Sequence, residues 1–206
     1  HVKAATWLND SSDLSLYMFK IQAIQIGNSD VAPLLTLIVG PSENSKKIVS
    51  SKREKTERHE KRLAFFTALL EYARPLTSLH SNRAPNDGPY QSAATGIAGL
   101  SFDYYLTQNS TSVYVWIDKG KGKDDWNKSF YGHLLENKEI IEESYGGSLA
   151  WNVRSGETRS RTISDTLQLG GWKDENSWDQ AIPETVDKMI KLEKSLKPFI
   201  TEAVKI

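Results

Sequence analysis

Hydrophobic residues occupy every second position in two short stretches near the middle of the chain. The alternating residues are Phe102, Tyr104 and Leu106, followed by Val113, Val115 and Ile117. A period of two is typical of β-strands that have two different faces. The polar residues 108–110 lie between the two stretches and have side chains that favour a turn. The pattern therefore predicts a β-hairpin within residues 92–123.

A second hairpin and three amphipathic helices are predicted around the first hairpin. Residues 149–153 and 159–163 alternate on either side of a turn at Ser155 and Gly156. Apolar residues recur at helical spacing in 63–70, in 126–145 and from residue 174 to the end of the chain. From residue 51 onward, the predicted order of elements is α-ββ-α-ββ-α.

Prolines give the expected limits of two of these helices. We expect Pro75 to end the first helix, because the residue before a proline is driven out of helical geometry. In the last helix we expect a break at Pro183, and we expect Pro198 to end or bend the helix.

The first 45 residues contain two further strand patterns. Residues 14–26 alternate, and 34–39 form a continuous apolar run that is typical of a strand covered on both faces. Two strands do not form a stable domain alone. We therefore expect them to dock on the rest of the chain or to be the tail of an upstream domain. The chain begins at His1 rather than Met, so we expect a fragment or a processed chain.

Together these elements predict an α+β protein. Its core is a mainly antiparallel four-stranded sheet covered by helices, and an N-terminal β-hairpin is added to it. The predicted organisation is a hairpin segment over 1–45, a basic linker and helix start over 46–57, and an α+β domain over 58–206.

Composition narrows the class of protein. The chain has 206 residues, 26 Lys and Arg, 26 Asp and Glu, and no Cys. A net charge of zero does not indicate a strongly basic nucleic-acid-binding protein, although a local patch is compatible with it. The lack of Cys excludes disulfides and thiolate sites and fits a reducing compartment. The longest apolar run is far too short to cross a bilayer, so we expect a cytoplasmic protein that does not contact membranes.

One segment departs strongly from neutrality. Residues 46–62 contain eight Lys or Arg and three Glu, a net charge of +5. Ser51 and Glu54 have the spacing of a capping box, which predicts that a helix starts there. The segment is interpreted either as a solvated helix start or as a basic face that contacts phosphates.

The best candidate surface combines cations with aromatic rings. Lys119, Lys121 and Lys123 follow the first hairpin, Arg154 and Arg159 flank the turn of the second, and Arg83 lies in the loop before Tyr90. Such residues suit phosphate contact with base stacking. The alternative is an ordinary salt-bridged surface. Arg161 alternates with Ile163, so it can instead be half-buried and paired.

No complete catalytic or metal site is found, and no cofactor is expected. A nuclease site of the Asp…Asp/Glu-x-Lys type needs its carboxylates and lysine on strands. The only matching spacing, Glu136-Asn137-Lys138, lies in a predicted helix. Asp103, Asp118, Asp124 and Asp125 could form a metal pair, but roles in turns and at a helix N-terminus are the stronger interpretation.

From the central hairpin onward, the chain resembles a prokaryotic family named domain of unknown function (DUF) 4268. The resemblance covers about residues 58–200 and rests on the order and spacing of several pieces. These pieces are 62–70, 96–102, 114–120, 137–142 with 149–151, and 189–199.

Residues 7–41 resemble a different protein class. Trp7-Leu8-Asn9, residues 23–29 and Ala32-Pro33 are similar to the tail of the PD-(D/E)xK nuclease-like domain that is often fused upstream of this family. That resemblance implies a restriction-like or genome-defence setting. If the parent protein cuts DNA, its catalytic site is expected upstream of His1.

Three functions remain open at this point. The first is a DNA-associated accessory or specificity module of a restriction or defence nuclease, not catalytic by itself. The second is a protein-interaction or dimerisation module, with tryptophans forming part of an apolar interface. The third is a metal-dependent nuclease. The tryptophans considered for the interface are Trp116, Trp126, Trp151, Trp172 and Trp178.

Overall fold

The computed structural model describes residues 1–12, 14–41, 43–153 and 160–203, without the side chains of 43–50, 52 and 203. By compactness the chain divides into two units, His1–Glu57 and Arg58–Ile206.

The first unit contains a helix and the expected N-terminal hairpin. Helix α1 spans Val2–Ser11, and strands β1 (Met18–Ile24) and β2 (Ala32–Val39) pair antiparallel. The prediction that β2 is covered on both faces is wrong. Val39 is its one buried residue, and Leu35 is 60% exposed. A continuous apolar run shows that a strand can be covered, but it does not supply the layer that covers it.

Helix α2 (Glu43–Ala73) begins earlier than the capping box predicts. Ser51 and Glu54 therefore lie inside the helix rather than at its start. The end agrees with the sequence, because the helix stops at Ala73, two residues before Pro75. The division between the two units falls within α2.

The second unit is built on one antiparallel sheet. Its strands are β3 (Tyr90–Ala94), β4 (Leu100–Leu106), β5 (Thr111–Ile117), β6 (Ala150–Val153) and β7 (Arg161–Leu167). The order is β3-β4-β5-β7-β6, and every neighbouring pair is antiparallel. The α+β class, the first hairpin and the antiparallel pairing of the second hairpin's strands are confirmed, while the predicted turn at Ser155 and Gly156 lies outside the described residues. Among the described residues the sheet has five strands rather than the four predicted. The additional strand is β3.

The helices of this unit differ from the prediction in two places. The stretch 124–145 forms two helices, α3 (Asp124–Glu136) and α4 (Lys138–Tyr145), which meet at Asn137. After a 3₁₀ turn at Glu175–Ser177, α5 runs over Trp178–Ala203 and continues through Pro183 and Pro198. Each interior proline costs about 3 kcal/mol. A continuous stripe of buried side chains between Ala181 and Ile200 offsets that cost.

The helices cover one face of the sheet. Alternate residues of β4, β5 and β7 join side chains of α2, α3, α4 and α5 in a single hydrophobic core, with Phe102, Val115 and Ile163 among the strand contributions. The opposite face of the sheet is called the open face below. Among the described residues, no helix is long and apolar enough to cross a membrane.

Candidate nucleic-acid interface

The loop after β5 holds three lysines in a defined backbone conformation. The Asp118 carboxylate accepts a hydrogen bond from the Gly120 N–H at 2.9 Å, and the Asn127 side chain accepts one from the Lys119 N–H at 2.9 Å. Gly99 has φ +88°, and a Cβ there would lie 2.5 Å from the Cα of Lys119. Only glycine permits this close approach. The loop is therefore fixed at its base.

The side chains of Lys119, Lys121 and Lys123 are exposed. The Lys119 ammonium lies 4.4 Å from the ring centroid of Trp126, a cation–π contact. In the described part of the chain no carboxylate forms an ion pair with these lysines. We name these three residues the lysine loop. It concentrates positive charge at the end of β5.

Of the other four cations considered, the structure describes Arg83 and Arg161. Arg83 is exposed in the connection between α2 and β3. Arg154 and Arg159 lie outside the described residues, so their role stays a prediction. The alternative interpretation of Arg161 is confirmed: this residue is 6% exposed, and its guanidinium lies 3.3 Å from the Asp124 carboxylate. Arg161 joins β7 to α3 rather than forming part of a binding surface.

Three of the acidic residues considered for a metal site instead stabilise a turn or the start of a helix. Asp118 accepts the Gly120 N–H in a turn, and Asp124 and Asp125 lie in the first turn of α3, where negative charge is favourable. Within the described ranges, no group of three His, Asp or Glu side chains could hold a metal ion. Glu136 and Lys138 lie on either side of the α3–α4 junction, so they are not on strands.

Four of the five tryptophans considered for an interface lie in or around the core. Trp172 is buried, while Trp126, Trp151 and Trp178 are partly buried and pack against the core. The indole N–H groups of Trp151 and Trp178 donate to Glu142 and to the Gly171 carbonyl. Trp116 is different, because it points to the open face of the sheet.

The open face has an unusual composition for a sheet surface. Strand pairing places its residues in three cross-strand rows. The rows are Tyr90, Tyr105, Ser112 and Thr166; then Ser92, Asp103, Tyr114, Ser164 and Ala150; then Ala94, Ser101, Trp116, Thr162 and Asn152. Aromatic rings lie on β3, β4 and β5, and small side chains lie on β7 and β6. Asp103 is the one charged residue in these rows.

The tyrosines of this face form a compact cluster. Tyr90 and Tyr105 are stacked, with ring centroids 4.7 Å apart, and Tyr114 meets both rings edge-on at 6.1 and 6.4 Å. Such geometries are favourable for aromatic pairs. Beside the cluster, the short hydroxyl side chains of Thr162, Ser164 and Thr166 on β7 leave a cleft of about 230 Å³, which Trp116 also lines. One side of the cleft is aromatic and the other bears hydroxyl groups.

Asp103 lies beneath this surface. It is 5% exposed, and burial raises the pKa of its carboxyl group, although hydrogen bonds from Ser92, Ser101 and Tyr114 oppose that effect. The Ser101 hydroxyl donates to one carboxylate oxygen at 3.1 Å, while the other oxygen is buried without a hydrogen-bond partner. Burial therefore favours the protonated carboxyl at this position.

Two arginines lie at the edge of the open face that carries Tyr90 and Tyr105. Arg58 and Arg62 are one turn apart on α2, and the Nε atoms of both are buried without a hydrogen-bond acceptor. Burial and the charge of Arg58 lower the pKa of Arg62, while Tyr105, Asp87 and Tyr90 act in the opposite direction. We name this the arginine pair. Two like charges held together with unsatisfied donors favour an anion beside them.

Another polar cluster ties three elements of the unit together. The Tyr145 hydroxyl donates to the Asp165 carboxylate at 2.6 Å, and Lys188 forms an ion pair with the same carboxylate. Burial raises the pKa of Asp165, but the hydrogen bonds from Lys188 and Tyr145 outweigh that effect and lower it. The cluster joins α4, β7 and α5, and its groups satisfy one another.

Sequence reasoning found the lysine loop but missed the open face and the arginine pair. Tyr105 and Trp116 were visible only as the second faces of strands. Arg58 and Arg62 were two of eight cations in a basic run, and nothing in the run distinguished them from the others. Strand β3, which brings Tyr90 to Tyr105, was not predicted, so the tyrosine cluster could not be assembled.

Comparison with known proteins gives one match. No curated protein and no solved structure matches the chain. A family model matches residues 61–200, which is more than half of the chain and includes the whole five-stranded sheet. The chain belongs to the family described as domain of unknown function (DUF4268).

Proposed function

We propose that this chain is a DNA-associated accessory or specificity module of a restriction- or defence-type nuclease, and that it does not cut DNA by itself. The nuclease setting rests on the resemblance of residues 7–41 to the tail of a PD-(D/E)xK nuclease-like domain. The association with DNA rests on charge. The observation that supports DNA association is the lysine loop, whose backbone is fixed at its base by hydrogen bonds and whose three lysine side chains are exposed.

Positive charge of this kind contributes affinity without sequence preference. Each phosphate that a lysine neutralises releases condensed counterions, so log K falls with log salt by about 0.9 per contact on duplex DNA. Three contacts give a slope of roughly 2.7. We expect a dissociation constant of about 10⁻⁴–10⁻⁶ M at physiological salt, the usual range of non-specific binding.

The test is a titration of labelled duplex DNA at several salt concentrations. The Lys119→Ala, Lys121→Ala, Lys123→Ala variant should bind more weakly and have a flatter salt slope. A matched control removes three exposed lysines elsewhere, by Lys3→Ala, Lys20→Ala and Lys194→Ala. Both variants change the net charge equally, so a local site predicts a loss for the first variant only. Equal slopes for both variants would contradict a site at the lysine loop.

A second candidate function is favoured by a different surface. On one face of the β1–β2 hairpin, Phe19 lies opposite Leu37 and Ile21 lies opposite Leu35, and all four side chains are exposed. An exposed apolar surface of this kind is typical of protein–protein interfaces. It supports a protein-interaction or dimerisation module. Light scattering at micromolar concentration tests this, because a dimer should become a monomer in the Ile21→Lys variant, whereas a monomeric parent protein would remove the dimer hypothesis.

A further inference from the structure

The open face combines groups that bind the bases and the backbone of a nucleic acid strand. Tyr105 and Trp116 supply ring systems in two of its rows, and the hydroxyls of Thr162 and Ser164 lie beside them. Bases stack on aromatic side chains regardless of sequence, and hydroxyls donate or accept at base edges. Asp103, which is 5% exposed, is the one charged residue in the three rows of this face.

The size of the cleft points to a single flat ring. Its volume is about 230 Å³, below the roughly 300–1,000 Å³ of sites that enclose whole drug-sized molecules or cofactors. The three rows extend the same surface along the strands for about 14 Å at about 3.4 Å per residue. A chain of planar groups fits this length better than one compact ligand.

Positive charge lies at one edge of that surface and in the loop after its central strand. The arginine pair lies beside Tyr90 and Tyr105 in the first row, and the lysine loop begins two residues after the end of β5, the strand that carries Trp116. The buried Nε donors of the arginine pair have no acceptor among the described residues. A phosphate group would supply acceptors for these donors. The arginine pair and the flexible lysine side chains therefore complement the phosphates of a backbone that runs along the strands.

From these features we infer that the open face binds single-stranded DNA, with bases stacked on Tyr105 and Trp116 and with phosphates held by the arginine pair and the lysine loop. This inference rests on the proposed function, because it names the form of DNA that the module takes.

Geometry favours a single strand over a duplex. The axes of the edge strands β3 and β6 are about 19 Å apart, at about 4.8 Å per strand. The major groove of B-DNA is about 12 Å wide, so the sheet face is too broad to enter it. Base faces are hidden inside a duplex, whereas a single strand presents them to aromatic rings.

The first test uses the unmodified protein and four probes of equal length. These are labelled oligothymidylate, an abasic deoxyribose-phosphate strand, duplex DNA and oligouridylate, measured by fluorescence anisotropy at fixed salt. Loss of one stacked base should weaken binding roughly 5- to 150-fold. We therefore expect oligothymidylate to bind at least 5-fold more tightly than the abasic strand. Equal affinities would show that bases do not contribute and would overturn the inference.

The second test changes the rings. Trp116→Ala should weaken oligothymidylate binding roughly 5- to 150-fold and leave the abasic strand unaffected, while Trp116→Phe keeps a ring and most of the affinity. Trp7→Ala, which removes an exposed tryptophan of α1, is the control and should change nothing. If Trp116→Ala does not fold, as judged by circular dichroism, Trp116→Phe and the abasic probe still decide the question.

The third test changes the charges. Arg58→Gln with Arg62→Gln should weaken both single-stranded probes equally and reduce the salt slope by roughly 1.4, at about 0.7 per contact on single strands. Arg74→Gln with Lys194→Gln removes the same charge from two exposed positions elsewhere and should have no such effect. Equal slopes for the two double variants would overturn the role of the arginine pair.

The outcomes separate this inference from the proposed function. Duplex binding that depends on the lysine loop, together with no effect of Trp116→Ala on oligothymidylate, would leave the proposed function in place and overturn the inference. No binding of any DNA at low salt would overturn both. Tighter binding of oligouridylate than of oligothymidylate would overturn the assignment to DNA.

Discussion

The buried histidine of the loop after α2 predicts a specific dependence of stability on pH. His80 is 3% exposed, and its Nε2 lies 3.2 Å from the Phe102 carbonyl oxygen. The centroids of the His80 and Tyr104 rings are 4.6 Å apart. If Nε2–H donates to that carbonyl, Nδ1 is left buried without a partner. Burial lowers the pKa of His80 from 6.5 to about 4, and the charge of Arg83 contributes in the same direction.

The sign of the effect follows from linkage. The unfolded chain takes up a proton at His80 near pH 6.5, but the folded chain does so only near pH 4. The stability contributed by neutral His80 is therefore fully present above pH 6.5 and is lost as pH falls toward 4. At about 1.36 kcal/mol per unit, the full difference is roughly 3.4 kcal/mol, of which about 2 kcal/mol is lost between pH 7 and pH 5.

Urea unfolding at pH 7 and pH 5 measures this loss. The parent protein should lose about 2 kcal/mol of unfolding free energy more than a His80→Gln variant, which cannot take up the proton. An equal change in stability for the parent protein and His80→Gln would refute the argument, because it would place the titration elsewhere.

Three further predictions concern catalysis, the open face and the lysine loop. The chain should not cut plasmid or linear DNA with Mg²⁺ or Mn²⁺, and cleavage that is lost in Asp103→Asn or Asp118→Asn would contradict this. Because burial raises the pKa of Asp103, ionisation costs stability as pH rises, so Asp103→Asn should raise the melting temperature at pH 7 and have less effect at pH 4. Gly99→Ala should lower the unfolding free energy measured with urea by about 1–3 kcal/mol, because φ at this residue is +88° and the new Cβ would clash with the Lys119 backbone. An unchanged urea midpoint would show that the backbone can move to accept the Cβ.

The strongly patterned elements of the fold were predictable from the sequence. In β4 and β5, each inward position is a large hydrophobic residue or Thr111, so the period of two is nearly complete. Strand β3 was missed because its buried positions are Gln91 and Ala93, which give no hydrophobic alternation. The Gln91 side chain is satisfied by the Ala84 carbonyl and by Asn86. Hydrogen bonds between a side chain and residues five to seven positions away leave no recognisable pattern in the local sequence.

The candidate site was less predictable than the fold. A run of lysines and glycines after a strand is recognisable as a basic loop, and its composition alone suggested phosphate contact. Arg58 and Arg62 differ from the other cations of their run only because the fold places them beside Tyr105 and Tyr90. That proximity depends on α2 passing the edge of the sheet, and a sequence pattern does not report it.

The chemistry of two exposed surfaces separates the candidate functions. The hairpin face around Ile21 and Leu35 is apolar, and the side chains of its paired residues Phe19, Ile21, Leu35 and Leu37 form no hydrogen bonds, so its burial requires an apolar surface such as another protein chain. The open face has rings and hydroxyls in its rows, and cations lie at one edge and in the loop after its central strand. An apolar partner would leave these polar groups unsatisfied at a cost of about 1–3 kcal/mol per buried group. A phosphate-linked chain of bases satisfies both kinds of group. The two proposed functions therefore need not compete for one surface: the proposal places DNA on the open face and a protein partner on the hairpin.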